Sequence, residues 1–564
     1  MHFLLKDENT KKFLLGNEAI ARASIESQLR IASAYPGTPS SEIANNLFQI
    51  QIDLPGFYFE FATNEKVAME IVGAASACGL RALTCMKHVG LNVASDAFMT
   101  LGYIGVKGGL VVVTADDPSC HSSQNEQDNR YYARLAQIPM LEPFDPQSAY
   151  ELTKHAFEIS EKLELPVLLR TTTRVSHARS TVEVASIPWE FYKNFVKGHF
   201  EKDIRRFVPV PAVARERHKI LLQKLNEAQV LAENFKLNKL ILKGKYGICA
   251  SGVSINYVLD ALEELGMSED VSLLLLTFTH PFPEKLAKEF LSHVETCLVV
   301  EELELYLEEQ LRITAYNHAL NTKILGKTEG FFPRNFEFTP YQIKNAISKA
   351  FKKEEIKVDI PPFDFSSDLP QRPPTLCPGC PHRETYKLIK EILQELGIEE
   401  NTIYPTDIGC YTLGIMPPLK MADYLLCMGS SIGTSCGFDV ATEQKIVAFI
   451  GDSTFFHAGL PSLVNAKYNL HNFTLVVLDN QTTAMTGHQP VPSQELKSAF
   501  LKDHPIIPIK KIVEALDIPY VEINPYKKEE TKKLIKPLLE KKELSVIIAK
   551  APCILYKTKI QKEK

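Results

Sequence analysis

The sequence predicts an α/β protein of three domains built on parallel sheets, and three observations carry that prediction. Short apolar, β-branched runs such as 110–113 and 446–450 read as buried strands. Helix-spaced stretches alternate with them, the pattern that builds parallel sheets. The alternation is broken twice, by a charged helical stretch at 191–240 and by a proline-rich stretch at 356–374, which divides the chain into 1–190, 241–355 and 375–564. With 564 residues there is ample chain for several cores. A hydrophobic content of 45% beside 23% charged residues describes a soluble globular protein. The net charge of −5 gives no basic footprint for nucleic acid. No apolar run approaches the roughly 18 residues of a membrane span, and the interrupted N-terminus is no secretory leader, so the expected location is the cytoplasm. Eleven cysteines in so large a chain are no disulfide framework and are read for metal or redox chemistry.

The stretch 446–487 organises the last domain. Run 446–450 delivers Gly451, Asp452 and Ser453 to the carboxyl end of a strand, where open α/β sheets bind ligands. A helix is expected over 456–470, and a second strand at 474–478 ends in Asp479, Asn480 and Gln481. Two hard oxygen ligands on adjacent strand ends suit Mg²⁺, which completes its octahedron with water and phosphate oxygens. Gly-Asp-Ser followed by Asn480 resembles the thiamine-diphosphate signature of Gly-Asp-Gly then Asn, departing from it at Ser453. That resemblance implies that Asp452 and Asn480 give side-chain oxygens, and Thr482 its backbone carbonyl, to Mg²⁺. Upstream, Gly429, Ser430, Ser431 and Gly433 line a helix start whose N–H groups can receive a diphosphate.

In the first domain, residues 31–47 read as a strand, a turn carrying Thr38, and a helix capped by Ser40 or Ser41. Residues 57–90 give a strand, an acidic turn and a helix rich in small residues that begins at Glu65. A buried Glu at a helix start needs a reason. It either complements the helix dipole or, as in thiamine enzymes, bonds N1′ of the cofactor's aminopyrimidine and favours the imino tautomer. Strand 110–113 opens into a polar loop holding Asp116, Asp117, His121, Ser122 and Ser123; most of these read as turn formers, while His121 could contact a substrate carboxylate. His88, after Lys87, has similar standing. Run 165–177 reads as this domain's last strand, with Arg170 and Arg174 able to attract an anion. Farther on, EELELYLEEQL (301–311) reads as an exposed acidic helix without chemistry.

The last domain also holds Cys377 and Cys380 in one Cys-x-x-Cys, Cys410 after a glycine, and Cys553 near the C-terminus. Soft thiolates converging from separate loops suit iron-sulfur or zinc.

Together LLGNEAIARA, AYPGTPSSEI, NEKVAMEI, MKHVGLNVASD, DDPSCHSSQNEQDNR, LCPGCPHR, DIGCYTLG, GDSTFFHAGLPSLVNAKYN and LDNQTTAMTGHQ resemble the alpha subunits of indolepyruvate ferredoxin oxidoreductases, in the thiamine-dependent 2-oxoacid:ferredoxin oxidoreductase superfamily. The resemblance implies a pyrimidine-binding domain (1–190), a helical connector (191–240), a transketolase-C-like domain (241–355), a linker (356–374) and a diphosphate-binding domain (375–564). It implies oxidative decarboxylation of an arylpyruvate to the acyl-CoA, with coenzyme A as co-substrate and electrons passed to ferredoxin. Glu65 would control the cofactor tautomer, and Thr38, from the Tyr-Pro-x-Thr-Pro turn, would touch the substrate. Such alpha subunits usually continue past the Ala-Pro-Cys segment into a ferredoxin-like domain with two 4Fe-4S clusters, whereas this sequence ends at Lys564. Related pyruvate and 2-oxoglutarate enzymes hold one cluster near thiamine on cysteines patterned as Cys377, Cys380, Cys410 and Cys553 are. The expectation is therefore one 4Fe-4S cluster here, a beta (gamma-type) subunit as partner in a hetero-oligomer, and a separate ferredoxin or cluster-carrying subunit. Two alternatives stand beside it: a non-oxidative thiamine-dependent decarboxylase, and a non-catalytic scaffold subunit.

Overall fold

The computed structural model describes residues 1–6, 10–352, 373–494 and 504–557, so most of the expected linker lies outside the described residues. The chain forms two compact units, Met1–Pro361 and Pro362–Lys564.

Unit 1 carries two large sheets. The strands of the seven-stranded sheet run, in spatial order, Phe278–His280, Met140–Leu141, Val167–Thr172, Leu110–Asp116, Ala82–Lys87, Ile31–Ala34 and Tyr58–Phe61. All pairs are parallel except the outermost, where Phe278–His280 runs antiparallel to Met140–Leu141. Every residue of Leu110–Asp116 and Val167–Thr172 is buried, as strands covered on both faces require. The strand expected at 110–113 thus runs on to Asp116, which belongs to the sheet and not to the loop. Nor is 165–177 the last strand of this region: Arg179–Glu183 follows and pairs antiparallel with Lys11–Leu15.

The five-stranded sheet of unit 1 comprises Lys323–Leu325, Thr296–Val300, Tyr246–Ser251, Val271–Leu276 and Lys239–Ile241, the last antiparallel. The helix Pro211–Glu233, expected as a solvated connector, lays Leu221, Ala228 and Ala232 into the core of the first sheet. Its remaining faces are charged, so composition alone hides that apolar stripe.

The acidic stretch 301–311 is a second correction. Glu301, Glu302 and Glu308 are buried, Glu308 being 1% exposed. Arg130 explains the first: its guanidinium meets Glu301 and Asp128 at 2.6 Å each and donates to the carbonyls of Glu302 and Glu304. Burial alone would raise the Asp128 carboxyl, but Arg130 overrides it and holds it at about 2. Glu308 accepts from the Lys327 N–H at 2.7 Å and from Arg312 at 3.0 Å. Glu301 follows strand Thr296–Val300, so its pair with Arg130 joins segments 171 residues apart in the chain. Burial pushes Glu302, which accepts from the Phe338 N–H at 2.9 Å, up to about 7.

Unit 2 holds one wholly parallel sheet in the order Thr402–Ile403, Lys445–Gly451, Thr474–Asp479, Ser545–Lys550 and Tyr520–Ile523. Its central strands are buried from Ile446 to Gly451 and from Thr474 to Asp479, and helices Pro381–Glu395 and Ser430–Ala441 flank it. Among the described residues, no helix is long and apolar enough to cross a membrane.

Candidate active site

In unit 2 the two central strands end side by side, with Gly451 in register with Leu478, so the next residues, Asp452 and Asp479, are neighbours. Both carboxylates are buried. Asp452 accepts from the Ser453 N–H at 2.8 Å and the Gln481 N–H at 2.7 Å, while Asp479 Oδ1 has no hydrogen-bond partner. Burial, and then the Asp479 charge, push Asp452 well above the usual carboxylate range; burial also raises Asp479, against the pull of Lys550. Two close, buried carboxylates with an unpartnered oxygen are a donor set that suits a cation. The Asn480 side-chain oxygen takes the Thr482 N–H at 3.3 Å, which folds the loop so that Asn480 and Thr482 stay beside Asp452. Hard oxygen donors of this kind fit Mg²⁺. Asp479 did not stand out in the sequence, because a strand-terminal Asp usually only begins a turn.

The helix expected to receive a diphosphate is Ser430–Ala441, entered through Gly429 at φ 90°. A Cβ on Gly429 would stand 2.5 Å from Ala458 Cβ, so glycine is required there twice over. The helix start is not open, however. Asp407, fully buried, accepts from the Ser431 N–H at 3.0 Å and from the Ser431 hydroxyl, with the Ser430 hydroxyl at 3.5 Å. Burial pushes Asp407 up to about 6. Gly451 has a separate reason to be glycine, since a Cβ would come within 2.7 Å of the Tyr411 ring.

The four cysteines converge in the same unit. The Cys380 N–H donates to the Cys377 carbonyl at 3.1 Å, and a Cβ on Gly379 between them would lie 3.1 Å from Ile554 Cδ1, beside Cys553. Burial and the charges of Cys380, Cys553 and Cys377 together push the Cys410 thiol up to about 12. Mutual charge effects of this kind require the thiols to be near one another. Among the described residues, no three His, Cys, Asp or Glu side chains gather tightly enough for a single metal ion. A cluster sits between its ligands, one thiolate per iron, and spaces them more widely than a single ion does. The donor chemistry of four cysteines fits iron-sulfur.

In unit 1, Glu65 is the first residue of helix Glu65–Ala77 and only 6% exposed, with Asn64 capping the helix by accepting from the Val67 N–H at 2.9 Å. Its carboxylate lies against Gly90, where a Cβ would stand 2.7 Å from Glu65 Oε1. Thr38, half-buried, sits in the turn between Ile31–Ala34 and helix Ser41–Ile50, and Ser40 closes that turn by donating to the Gly37 carbonyl at 2.8 Å. Ser40 is the N-cap residue by position but makes no cap hydrogen bond. His88 is buried, its Nε2 3.1 Å from Asn125 Oδ1, and burial holds it below the usual imidazole range.

The cations singled out in the sequence are differently placed. Arg170 is buried between Asp116 at 2.8 Å and Glu142 at 2.9 Å, which corrects its reading as an anion attractor: its charge is already spent on two carboxylates. Arg174 pairs with Glu337, and His121, an exposed residue, lies 3.3 Å from the same carboxylate.

The family description "Pyruvate flavodoxin/ferredoxin oxidoreductase, thiamine diP-bdg" matches residues 22–231, and "Thiamine pyrophosphate enzyme, C-terminal TPP binding domain" matches 407–549. Indolepyruvate oxidoreductase subunit IorA of Methanothermobacter thermautotrophicus is 51% identical over 555 residues, spanning 97% of this chain and 88% of that protein. This chain belongs to the IorA family. The IorA of Thermococcus kodakarensis is 44% identical over 567 residues, spanning 96% of this chain and 86% of its own length. A solved 2-oxoglutarate:ferredoxin oxidoreductase from Magnetococcus marinus is 17% identical with a TM-score of 0.49, covering 61% of this chain and 66% of that one. As an IorA-family protein the chain carries thiamine-diphosphate-binding domains, with Glu65 and Thr38 inside the first matched region and Asp452, Asp479 and Asn480 inside the second.

Proposed function

We propose that this chain is the thiamine-dependent subunit of an enzyme that oxidatively decarboxylates an arylpyruvate, such as indolepyruvate, to its acyl-CoA and passes the electrons to ferredoxin. Membership of the IorA family over nearly the whole chain, with Glu65, Asp452 and Asn480 all present, is the observation that carries the reading. When bound, thiamine diphosphate supplies the carbanion-stabilising chemistry on which decarboxylation of a 2-oxo acid depends. The chain's residues supply the rest. Asp452, Asn480 and the Thr482 carbonyl would hold Mg²⁺ against the diphosphate, with Asp479 beside them. Glu65, buried beside Gly90, would hold the proton at N1′ of the aminopyrimidine. Thr38 would orient the 2-oxo acid, and His121 is the further candidate for contact with it. Cys377, Cys380, Cys410 and Cys553 would hold one 4Fe-4S cluster, a carrier of single electrons.

The overall reaction converts 2-oxo carboxylate and coenzyme A thiol to thioester and CO₂, releasing one proton and an electron pair that leaves singly to ferredoxin. A gamma-type partner subunit and a ferredoxin, as soluble partners in the cytoplasm, follow from that reaction.

Iron and acid-labile sulfide per chain, with the EPR spectrum after dithionite, test the reading in protein purified without oxygen. About four irons with a reduced-cluster signal, together with arylpyruvate- and CoA-dependent dye reduction by the assembled complex, is the expected result. Iron-free protein that binds thiamine diphosphate and releases aldehyde would replace it with the non-oxidative decarboxylase. Protein in which Glu65→Gln changes no activity would be a scaffold.

A further inference from the structure

We propose that Lys87 receives the carboxylate of the 2-oxo acid, on the sheet edge it shares with Thr38. The inference rests on the thiamine-dependent reading above and names the group that recognises its substrate's acid end.

Lys87 is the last residue of strand Ala82–Lys87 and the N-cap of helix His88–Ile104, so it stands at the carboxyl edge of the sheet, where α/β folds bind ligands. Its stem closes on the Thr38 turn: a Cβ on Gly37 would stand 3.0 Å from Lys87 Cβ. Its ammonium donates to the Ser122 carbonyl, and the Ser122 hydroxyl is 3.5 Å from the Thr38 carbonyl. Three residues on, Gly90 carries the same segment against the Glu65 carboxylate. Lys87 therefore touches the Thr38 turn and the Ser122 loop, and its own segment runs on to Glu65.

Charge singles out Lys87. Arg170 is committed to Asp116 and Glu142, and Arg174 and His121 to Glu337. Among the described residues, Lys87 makes no ion pair; a neutral carbonyl is its acceptor. The charged groups facing it are Asp117, Cys120 and His88. Asp117 is tied up by the Ser122 N–H at 2.9 Å, the Thr173 hydroxyl at 2.6 Å and the Ser123 hydroxyl, and His88 is buried and held towards neutrality. An anionic substrate that replaces the Ser122 carbonyl converts a cation–carbonyl hydrogen bond into an ion pair in a half-buried site, a gain that an aldehyde or ketone without a carboxylate would not provide. Burial holds the Lys87 ammonium low, at about 8, so the cation is present at neutral pH and is lost just above it.

The test uses the complex of this chain with its partner subunit, coenzyme A at fixed saturation, indolepyruvate as varied substrate and methyl viologen as acceptor. Lys87→Met keeps the stem and removes the charge; Lys87→Arg keeps the charge. Expected results are a KM for indolepyruvate raised at least tenfold in Lys87→Met, recovery of most of that loss in Lys87→Arg, and unchanged thiamine diphosphate affinity and Tm in both. The wild-type fall in kcat/KM above about pH 8 should disappear in Lys87→Met. Turnover whose KM ignores Lys87→Met overturns this proposal alone, as does a variant whose KM, Tm and cofactor affinity fail together. Absence of any 2-oxoacid-dependent turnover in the wild type overturns the functional reading and this proposal with it.

Discussion

Asp452 and Asp479 end adjacent parallel strands with their carboxylates buried together, and one oxygen of Asp479 has no hydrogen-bond partner. Burial and mutual repulsion raise both carboxyls, so metal affinity should rise with pH as the pair gives up its protons. Asp479→Asn should stabilise the cofactor-free chain by relieving the repulsion, whereas Asp452→Asn should weaken Mg²⁺-dependent thiamine diphosphate binding at least tenfold. Calorimetric titration with and without Mg²⁺ checks both; cofactor binding by Asp452→Asn equal to wild type would sink the assignment.

Glu65 and Gly90 yield a second prediction. Gly90→Ala places a methyl group 2.7 Å from the Glu65 carboxylate, closer than any carbon–oxygen contact tolerates, so Glu65 must swing away. Turnover in the assembled complex should fall by two orders of magnitude or more, approaching Glu65→Gln, while Mg²⁺ and diphosphate affinity in unit 2 persist. Full activity in Gly90→Ala would mean that the position of Glu65 is unimportant.

The Arg130 site predicts stability. Arg130→Met leaves Asp128 and Glu301 buried without their cation, a defect that typically costs about 3–5 kcal/mol. Denaturant unfolding should show that loss, and replacing all three residues by apolar ones should recover much of it.

Glu302 predicts a pH dependence. Its folded-state carboxyl titrates at about 7 against an ordinary value of 4.5, so between those values the folded chain holds the extra proton. Stability attributable to Glu302 is therefore greatest at the acid end of that window and falls as pH rises towards 7. The wild-type Tm should drop across it relative to Glu302→Gln; parallel profiles for the two proteins would show that Glu302 does not titrate there.

The sequence made the strand-end pair Asp452 and Asn480 legible because each follows an uninterrupted apolar run, and such runs admit few structures in a chain of this composition. Glu65 was legible for the same reason: a carboxylate opening a helix of small residues has few places to go but inward. The burial of Glu301 and Glu308 was not legible. Two of their partners, Arg130 and Lys327, lie 171 and 19 residues away, and a run of glutamates with helical spacing looks the same whether water or guanidinium surrounds it. Asp407 was hidden likewise, since nothing within its own loop signals that a helix start more than twenty residues later bonds to it. In the sequence Lys87 is only the residue before His88, and it stands out once the neighbouring cations prove to be taken.

The strand Phe278–His280 comes from the chain's middle region yet closes the edge of the first sheet against Met140–Leu141. A fragment cut near residue 240 would keep every residue proposed to meet the substrate and still lose that cover, leaving a short apolar edge ready to pair with the same edge of another molecule. Attempts to produce the pyrimidine-side region alone should therefore yield aggregates, and a productive truncation has to carry the chain through its second sheet.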